Sequence, residues 1–183
     1  PGLLFAELCQ QVCPPGVVNI ITGDGATTGS ALARHPGVPL IVFTGSVVAG
    51  RRVVQAGAET AIKKTILELG GKNPLIVCSD ADLARASQAA VRGMNLQNCQ
   101  GQSCQSTSRV LVHQSLRQEL VERIAAGFAQ ISPGDPLDPE AQMGCLVTHA
   151  HRDRVMSYIS KGKEEGAHLI TGGDSMMNPD LAR

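Results

Sequence analysis

Short apolar segments that alternate with helical patterns constrain the fold of this chain more than any other feature of its sequence. The segments VVNII (17–21), PLIVF (39–43) and KKTILEL (63–69) are predicted to be strands. The residues between them, 27–35 and 46–57, are predicted to be helices. Apolar strands that alternate with helices are typical of a parallel sheet covered by helices on both faces. The first part of the chain is therefore expected to be an α/β unit.

The alternation resumes after GGKNP (70–74), a glycine-rich break that we interpret as a hinge. In LRQELVERIAAGFAQI, apolar residues recur every four positions, which predicts an amphipathic helix. The remaining pattern predicts strands at 75–78, 109–113 and 167–171, and helices at 82–94, 116–131 and 149–163. The sequence thus predicts a second α/β unit after the break.

Composition and charge exclude several classes of function. The 183 residues include 16 basic and 16 acidic side chains, so no net field attracts nucleic acid or an anionic membrane. Aromatic residues make up only 2%, which removes a stacking platform for single-stranded nucleic acid. No apolar run reaches the roughly 18 residues of a spanning helix, and the N-terminus lacks the features of a signal peptide. We expect no nucleic-acid or membrane partner and a cytoplasmic location.

The cysteine pattern leaves two interpretations. Six cysteines could form a disulfide scaffold, but at this length, with long apolar segments, reduced thiols are favoured. No CxxC pair occurs, and none of the five histidines lies beside a pair of cysteines. We therefore predict no metal site.

The segment NCQGQSCQSTSR (98–109) places Cys99 and Cys104 among small polar residues. A free cysteine usually packs as a small hydrophobe, so polar surroundings suggest a reactive thiol. Gly101 and Ser103 leave room for a substrate beside Cys104, whose thiolate would be a strong nucleophile. From these residues alone, a structural loop cysteine is an equal alternative.

Two further motifs could carry chemistry. In FTGSVVAGR (43–51), a glycine turn precedes a helix whose N-terminal N–H groups could bind a phosphate. The alternative is a plain turn between a strand and a helix. In LELGGK (67–72), Glu68 ends a strand and could act as a general base. The alternative, which holds for most single glutamates, is that Glu68 pairs with Lys72 or faces solvent.

The order of the motifs resembles the aldehyde dehydrogenase superfamily. FTGSxxxG, ELGGKNP, GQSCxSTSR and GDPLDPExQMG follow one another, and the resemblance extends from PPGVVNIITGDG to SYISKGKEEGAHLITGG. Members of this superfamily oxidise aldehydes to carboxylic acids with NAD or NADP. The resemblance implies a small aldehyde substrate and, for a full-length form, a homodimer or homotetramer. GQSCxSTSR is most similar to the subgroup that acts on betaine aldehyde and similar amino- or small aldehydes.

The resemblance also implies roles for individual residues. Cys104 matches the nucleophile, which would form a thiohemiacetal and then a thioester, and Glu68 matches the general base. The cofactor-binding positions would be Gly25 beside the adenine, Gly45 and Ser46 at the pyrophosphate, Gly50 where the next helix packs, and Leu69 and Gly70 beside the nicotinamide. Residues 1–70 would be the C-terminal part of the NAD(P)-binding domain, and residues 71–183 the N-terminal part of the catalytic domain.

The family pattern is not complete in this chain. Its second oxyanion donor and the residues that grip the adenine ribose would precede Pro1, and a glutamate that grips the nicotinamide ribose would follow Arg183. We therefore expect the middle part of an aldehyde dehydrogenase. His151 stands where some members carry a glutamine near the cofactor ribose, and a surface histidine is the alternative. Two other functions stay open: a catalytically silent binding or assembly module, and a cofactor-free thiol esterase or acyltransferase.

Overall fold

A computed structural model describes residues 1–174 of the chain. The chain divides into two compact units, Pro1–Gly70 and a second that begins at Gly71. Each unit contains one small parallel sheet and several helices. The predicted α/β class with parallel sheets is confirmed.

The first unit holds a parallel pair of strands joined through a helix. Strand β1 pairs with β2 from Leu40 opposite Lys64 to Gly45 opposite Leu69. A single π-helical turn, Gly25–Gly29, leads directly into α2. The elements are α1 (Gly2–Val12), α2 (Ser30–Arg34), β1 (Leu40–Gly45), α3 (Val47–Ala58) and β2 (Lys64–Leu69).

The second unit repeats this plan. Strand β3 pairs in parallel with β4, from Pro74 opposite Arg109 to Val77 opposite Val112. Leu120 is only 1% exposed and lies on α6, which packs against α4. The elements are β3 (Pro74–Val77), α4 (Leu83–Gly93), α5 (Leu96–Cys99), β4 (Arg109–Val112), α6 (Arg117–Ala129) and α7 (His149–Glu164). The amphipathic pattern predicted α6, on which Leu120 is buried and Ile124 and Phe128 are half-buried.

The predictions for residues 17–21 and 167–171 were wrong, because neither segment forms a strand. An isolated extended segment leaves its N–H and C=O groups without ladder partners. Within residues 1–174, each sheet contains only two strands and no third strand pairs with these segments. Apolar content alone therefore does not make them strands.

Helices cover the two small sheets only in part. Val42 on β1 is 63% exposed, and Ile76 on β3 is 67% exposed. A two-stranded sheet offers few neighbours across which such side chains can pack. The strands keep the composition of buried strands, but part of each sheet face is open to solvent.

The end of α2 is tied to the start of β2. Lys63 Nζ donates to the carbonyl oxygens of Ala33 at 2.7 Å and His35 at 2.5 Å. An ion pair between Arg34 and Glu59, 2.7 Å apart, lies beside this contact, and hydrogen bonding to Glu59 raises the pKa of Arg34. A cation near the last carbonyls of a helix complements its dipole. These contacts fix the short helix α2 against the rest of the first unit.

Candidate active site

The carboxyl ends of β1 and β2 bring two predicted motifs side by side. In the parallel register, Thr44 lies opposite Glu68, and Gly45 lies opposite Leu69. The N–H of Gly70 donates to the carbonyl oxygen of Gly45 at 3.3 Å. Because the carboxyl ends of parallel strands share one end of a sheet, both motifs lie where α/β sheets commonly bind ligands.

The turn after β1 ends at Ser46, which caps α3. Its Oγ accepts a hydrogen bond from the N–H of Ala49 at 3.2 Å. The N–H groups of Val47 and Val48 have no acceptor within residues 1–174. Free N–H groups and the positive end of the helix dipole favour an anion at this position. The turn can therefore hold a phosphate.

Two glycines in this motif permit close packing. A Cβ atom at Gly45 would lie 2.6 Å from the Phe43 ring, and one at Gly50 would lie 2.9 Å from a methyl group of Leu69. Gly50 is buried in α3, which packs against β1 and β2. Gly50 therefore lies at the contact between α3 and the sheet.

A cleft of about 770 Å³ lies between the π-helical turn, α2, α3 and β1. Gly25 lines its wall, and a Cβ at that position would contact no atom within 4 Å. Aliphatic side chains from both helices and from β1 form most of the remaining surface, including Leu32, Val42 and Val53. A flat apolar group bordered by polar main chain would suit such a cleft.

The side chain of Glu68 is exposed and makes no ion pair or hydrogen bond among residues 1–174. Its carboxylate, near the end of β2, is accessible to water. Glu68 belongs to the first unit, whereas Cys104 belongs to the second.

Cys104 lies in a tight turn closed by a hydrogen bond from the N–H of Ser106 to the carbonyl oxygen of Ser103 at 3.1 Å. The thiol is exposed. The N–H of Gln105 donates to Ser103 Oγ at 3.1 Å, whereas the N–H of Cys104 has no acceptor in the described part of the chain. The turn thus presents a thiol and a free main-chain donor from the same residue.

Two polar side chains anchor this turn. Asn73 Nδ2 donates to the carbonyl oxygens of Cys104 at 2.6 Å and Ser106 at 3.2 Å. The Ser106 side chain is buried, and its Oγ lies 3.0 Å from the carbonyl oxygen of Met94. Sequence reasoning did not identify either residue. The only available signal was their position within the ELGGKNP and GQSCxSTSR motifs.

Several residues in the loop before Cys104 adopt the left-handed backbone conformation, in which φ is positive. Asn95 and Gln100 have φ of 56° and 53°, and Gly101 has φ of 76°. Cys99 is half-buried here, and its Sγ donates to the carbonyl oxygen of Asn95 at 3.3 Å. The two neighbouring cysteines therefore have different surroundings.

Two further predictions concern His151 and a possible metal site. His151 lies half-buried in the first turn of α7, where its N–H donates to the Thr148 hydroxyl at 3.1 Å. All six cysteines lie within the described residues and are free thiols. Across residues 1–174, no cluster of His, Cys, Asp and Glu has the makings of a metal site, and no helix is long and apolar enough to cross a membrane.

Comparison with known proteins identifies the family. The model of the aldehyde dehydrogenase family matches residues 2–182. This chain belongs to the aldehyde dehydrogenase family. The resemblance drawn from the motif order is thereby confirmed.

Curated proteins and solved structures agree with this assignment. The aldehyde dehydrogenase chain is 41% identical over 172 residues to a chloroplastic aminoaldehyde dehydrogenase of Arabidopsis thaliana, covering 93% of this chain and 34% of the relative. It superimposes on the NAD-dependent aldehyde dehydrogenase of Sinorhizobium meliloti with a TM-score of 0.89 at 38% identity, covering 97% and 35% of the two chains. Betaine aldehyde dehydrogenase of Staphylococcus aureus, crystallised with NAD+, gives a TM-score of 0.88 at 31% identity, with 98% and 35% covered. The chain spans about a third of the length of these relatives.

Proposed function

We propose that a protein containing this chain oxidises an aldehyde to a carboxylic acid with NAD or NADP, and that Cys104 is the nucleophile. The observation that carries the proposal is the turn at Cys104. It exposes the thiol and leaves the N–H of the same residue without an acceptor in the described chain. A nucleophile and an oxyanion donor are the two groups that addition to a carbonyl requires.

In the first half of the reaction, the Cys104 thiolate attacks the aldehyde carbon and forms a thiohemiacetal. The N–H of Cys104 donates to the negatively charged oxygen that develops. The bound cofactor supplies the acceptor for the hydride that this carbon loses. Loss of the hydride leaves a thioester on Cys104.

In the second half, Glu68 takes a proton from water, and the resulting hydroxide attacks the thioester. The carboxylic acid leaves, and the thiolate of Cys104 is restored. The exposure of Glu68 supports this role, because its carboxylate can reach a water molecule. It lies opposite Thr44 near the carboxyl end of β2, the end of a parallel sheet at which ligands commonly bind.

The first unit has features that suit the cofactor. The apolar cleft lined by Gly25 would take the adenine, and the capped N-terminus of α3 at Gly45 and Ser46 would hold the pyrophosphate. Leu69 ends the neighbouring strand and Gly70 follows it, and the main chain there would border the nicotinamide. Gly50 would act indirectly, by letting α3 pack closely on Leu69. Relatives crystallised with NAD+ support this cofactor.

The substrate proposed is a small aldehyde of the amino- or betaine-aldehyde type. The motif GQSCxSTSR and the similarity to an aminoaldehyde dehydrogenase and a betaine aldehyde dehydrogenase support this choice.

The experiment uses a protein of the relatives' length that carries this sequence. Reduced cofactor is followed by absorbance with a panel of amino- and simple aldehydes. Cys104→Ser should abolish turnover, because a serine hydroxyl is a far poorer nucleophile without an adjacent base. Cys145→Ser, at another exposed cysteine, is the matched control and should retain activity. Turnover by the Cys104→Ser protein would refute the proposed nucleophile.

The 183 residues alone are proposed to lack useful dehydrogenase activity. They span about a third of the relatives, and the family's second oxyanion donor has no counterpart among them. Loss of one oxyanion donor costs about 100- to 1,000-fold in rate. The purified chain should therefore fall far below the about 10 turnovers per second of ordinary enzymes. Turnover within tenfold of that rate would contradict the proposal.

A further inference from the structure

Asn73 lies just before β3 and is half-buried, and its side chain reaches the turn that carries Cys104. Its Nδ2 donates to the carbonyl oxygen of Cys104 at 2.6 Å and to that of Ser106 at 3.2 Å. One side-chain amide group thus donates to the carbonyl oxygens of both residues that flank Gln105.

We propose that Asn73 is a positioning residue for Cys104, an inference that rests on the proposed function. The carbonyl of Cys104 and the N–H of Gln105 belong to the same peptide plane. Asn73 binds the carbonyl, and Ser103 Oγ accepts from the N–H at 3.1 Å. Because both ends of the plane are bonded, the main chain at Cys104 is held in one orientation.

This orientation matters for the chemistry of the sulfur. The carbonyl oxygen of Cys104 carries the negative end of the peptide dipole, and rotation of this peptide plane would turn that negative end toward the sulfur. Asn73 keeps that oxygen directed toward its own amide group. The N–H of Cys104 meanwhile has no acceptor in the described chain and is available to an oxyanion.

The donor itself is held rigidly. The N–H of Arg109 donates to the carbonyl oxygen of Asn73 at 3.3 Å, next to the paired residues that begin β3 and β4. The Arg109 guanidinium donates twice to the carbonyl oxygen of Lys72, at 2.9 and 2.6 Å. A side chain fixed at the end of a sheet positions a partner better than one on a free loop.

The test measures alkylation of the dilute 183-residue chain by limiting iodoacetamide, with each cysteine quantified by peptide mapping. The readout is labelling of Cys104 relative to Cys78, an exposed cysteine at the end of β3. We expect Asn73→Ala to lower this ratio about fivefold, the change that corresponds to losing the hydrogen bond to the Cys104 carbonyl. Asn98→Ala is the matched control, because Asn98 is exposed and its side chain makes no hydrogen bond within residues 1–174. It should leave the ratio unchanged.

Other outcomes distinguish positioning from a general effect on folding. If Asn73→Ala also exposes the half-buried Cys99 to labelling, the residue supports the whole loop and the proposal is wrong. An unchanged Cys104 ratio would refute the role of Asn73 while leaving the proposed function intact. If Cys104 of the wild-type chain reacts no faster than Cys78, both proposals fail. If the alanine variant does not fold, Asn73→Ser, which keeps at most one donor, should give an intermediate ratio, and a wild-type ratio would again refute the proposal.

Discussion

Cys99 and Cys104 occupy one loop, yet their local hydrogen bonds separate them. The Cys99 thiol is half-buried and donates to the carbonyl oxygen of Asn95. The Cys104 thiol is exposed beside its own free N–H. Reactive thiols are partly exposed and lie near groups that favour negative charge. The proposed nucleophile is therefore the more accessible of the two thiols in this loop.

At the same scale, Glu68→Gln is expected to separate the two halves of the reaction in a full-length form. Glutamine keeps the shape of glutamate but accepts no proton, so thioester hydrolysis should slow far more than hydride loss. Rapid mixing should show a burst of reduced cofactor followed by slow turnover.

Glu140→Gln is the control for this prediction, because Glu140 is exposed in a loop of the second unit. It should behave as wild type. Disappearance of the burst in Glu68→Gln, with steady turnover preserved, would assign Glu68 a different role.

The sequence predicted some of these residues and could not predict others. Cys104, Glu68 and the glycine turn stand in motifs whose residue types already indicate chemistry. The side chains of Asn73 and Ser106, in contrast, donate to main-chain carbonyl oxygens that are distant in sequence. Asn73, for example, donates to the carbonyl oxygen of Cys104. Such contacts depend on how β3 and β4 pair, and no local pattern encodes them.

At the scale of elements, the contact between α3 and β2 depends on Gly50. In Gly50→Ala the new methyl group would lie 2.9 Å from a methyl of Leu69, so the leucine side chain must shift. We expect a net loss of about 1 kcal/mol in the free energy of unfolding, because the cost of overpacking exceeds the helix propensity that alanine gains inside α3. Chemical denaturation followed by circular dichroism measures this change.

Gly29→Ala is the matched substitution in the same unit. Gly29 has φ of −63°, and a Cβ there meets no atom within 4 Å. Alanine at this position should stabilise the protein by up to about 1 kcal/mol through helix propensity. Equal effects at both glycines would show that α3 does not pack against Leu69 as described.

The cap of the π-helical turn predicts a pH dependence. The Thr27 hydroxyl donates to the Asp24 carboxylate at 2.7 Å, and this bond, together with the N–H groups of Thr27 and Ala26, lowers the pKa of Asp24. Because the pKa is lower in the folded state, the cap stabilises the fold above the unfolded pKa of about 3.9. That contribution is lost as the pH falls through the folded pKa.

Carbon NMR of labelled aspartate, in a longer protein that carries this sequence, measures the titration. Thr27→Val removes the hydroxyl donor and should raise the pKa of Asp24 toward its ordinary value. Thr28→Val leaves that bond in place and should not change the titration. A titration unaffected by Thr27→Val would exclude the hydroxyl as the cause.

The helices and strands show where pattern reasoning works for this chain. Leu120 and its four-residue spacing predicted α6 because a buried stripe is a local property of a helix. Residues 17–21 are equally apolar but form no strand, since a strand also requires a neighbour. The parallel pairing of β1 with β2 supplied such a neighbour for 39–43 and 63–69.

At the scale of the whole molecule, the exposed apolar surface predicts self-association. Leu4, Phe5 and Leu8 are each more than half exposed and share one face of α1. Contiguous apolar patches on soluble proteins promote association. We expect the purified chain to associate at micromolar concentrations, as measured by sedimentation velocity.

The double variant Phe5→Lys, Leu8→Lys should reduce this association, because two charges would replace the centre of the patch. Leu137→Lys changes a residue that is 92% exposed in a loop and serves as the control. If both proteins associate equally, α1 does not drive the process.

The anchoring of the Cys104 turn has a consequence for synthesis on the ribosome. Asn73 and Cys104 are 31 positions apart, and the sheet that carries Asn73 is complete only when β4 has emerged. The contacts that close the first unit, such as Arg34 with Glu59, are all available earlier. Units that emerge first generally fold first. The nascent chain therefore completes its proposed cofactor cleft while Cys104 is still unsupported, and the thiol acquires its geometry only afterwards.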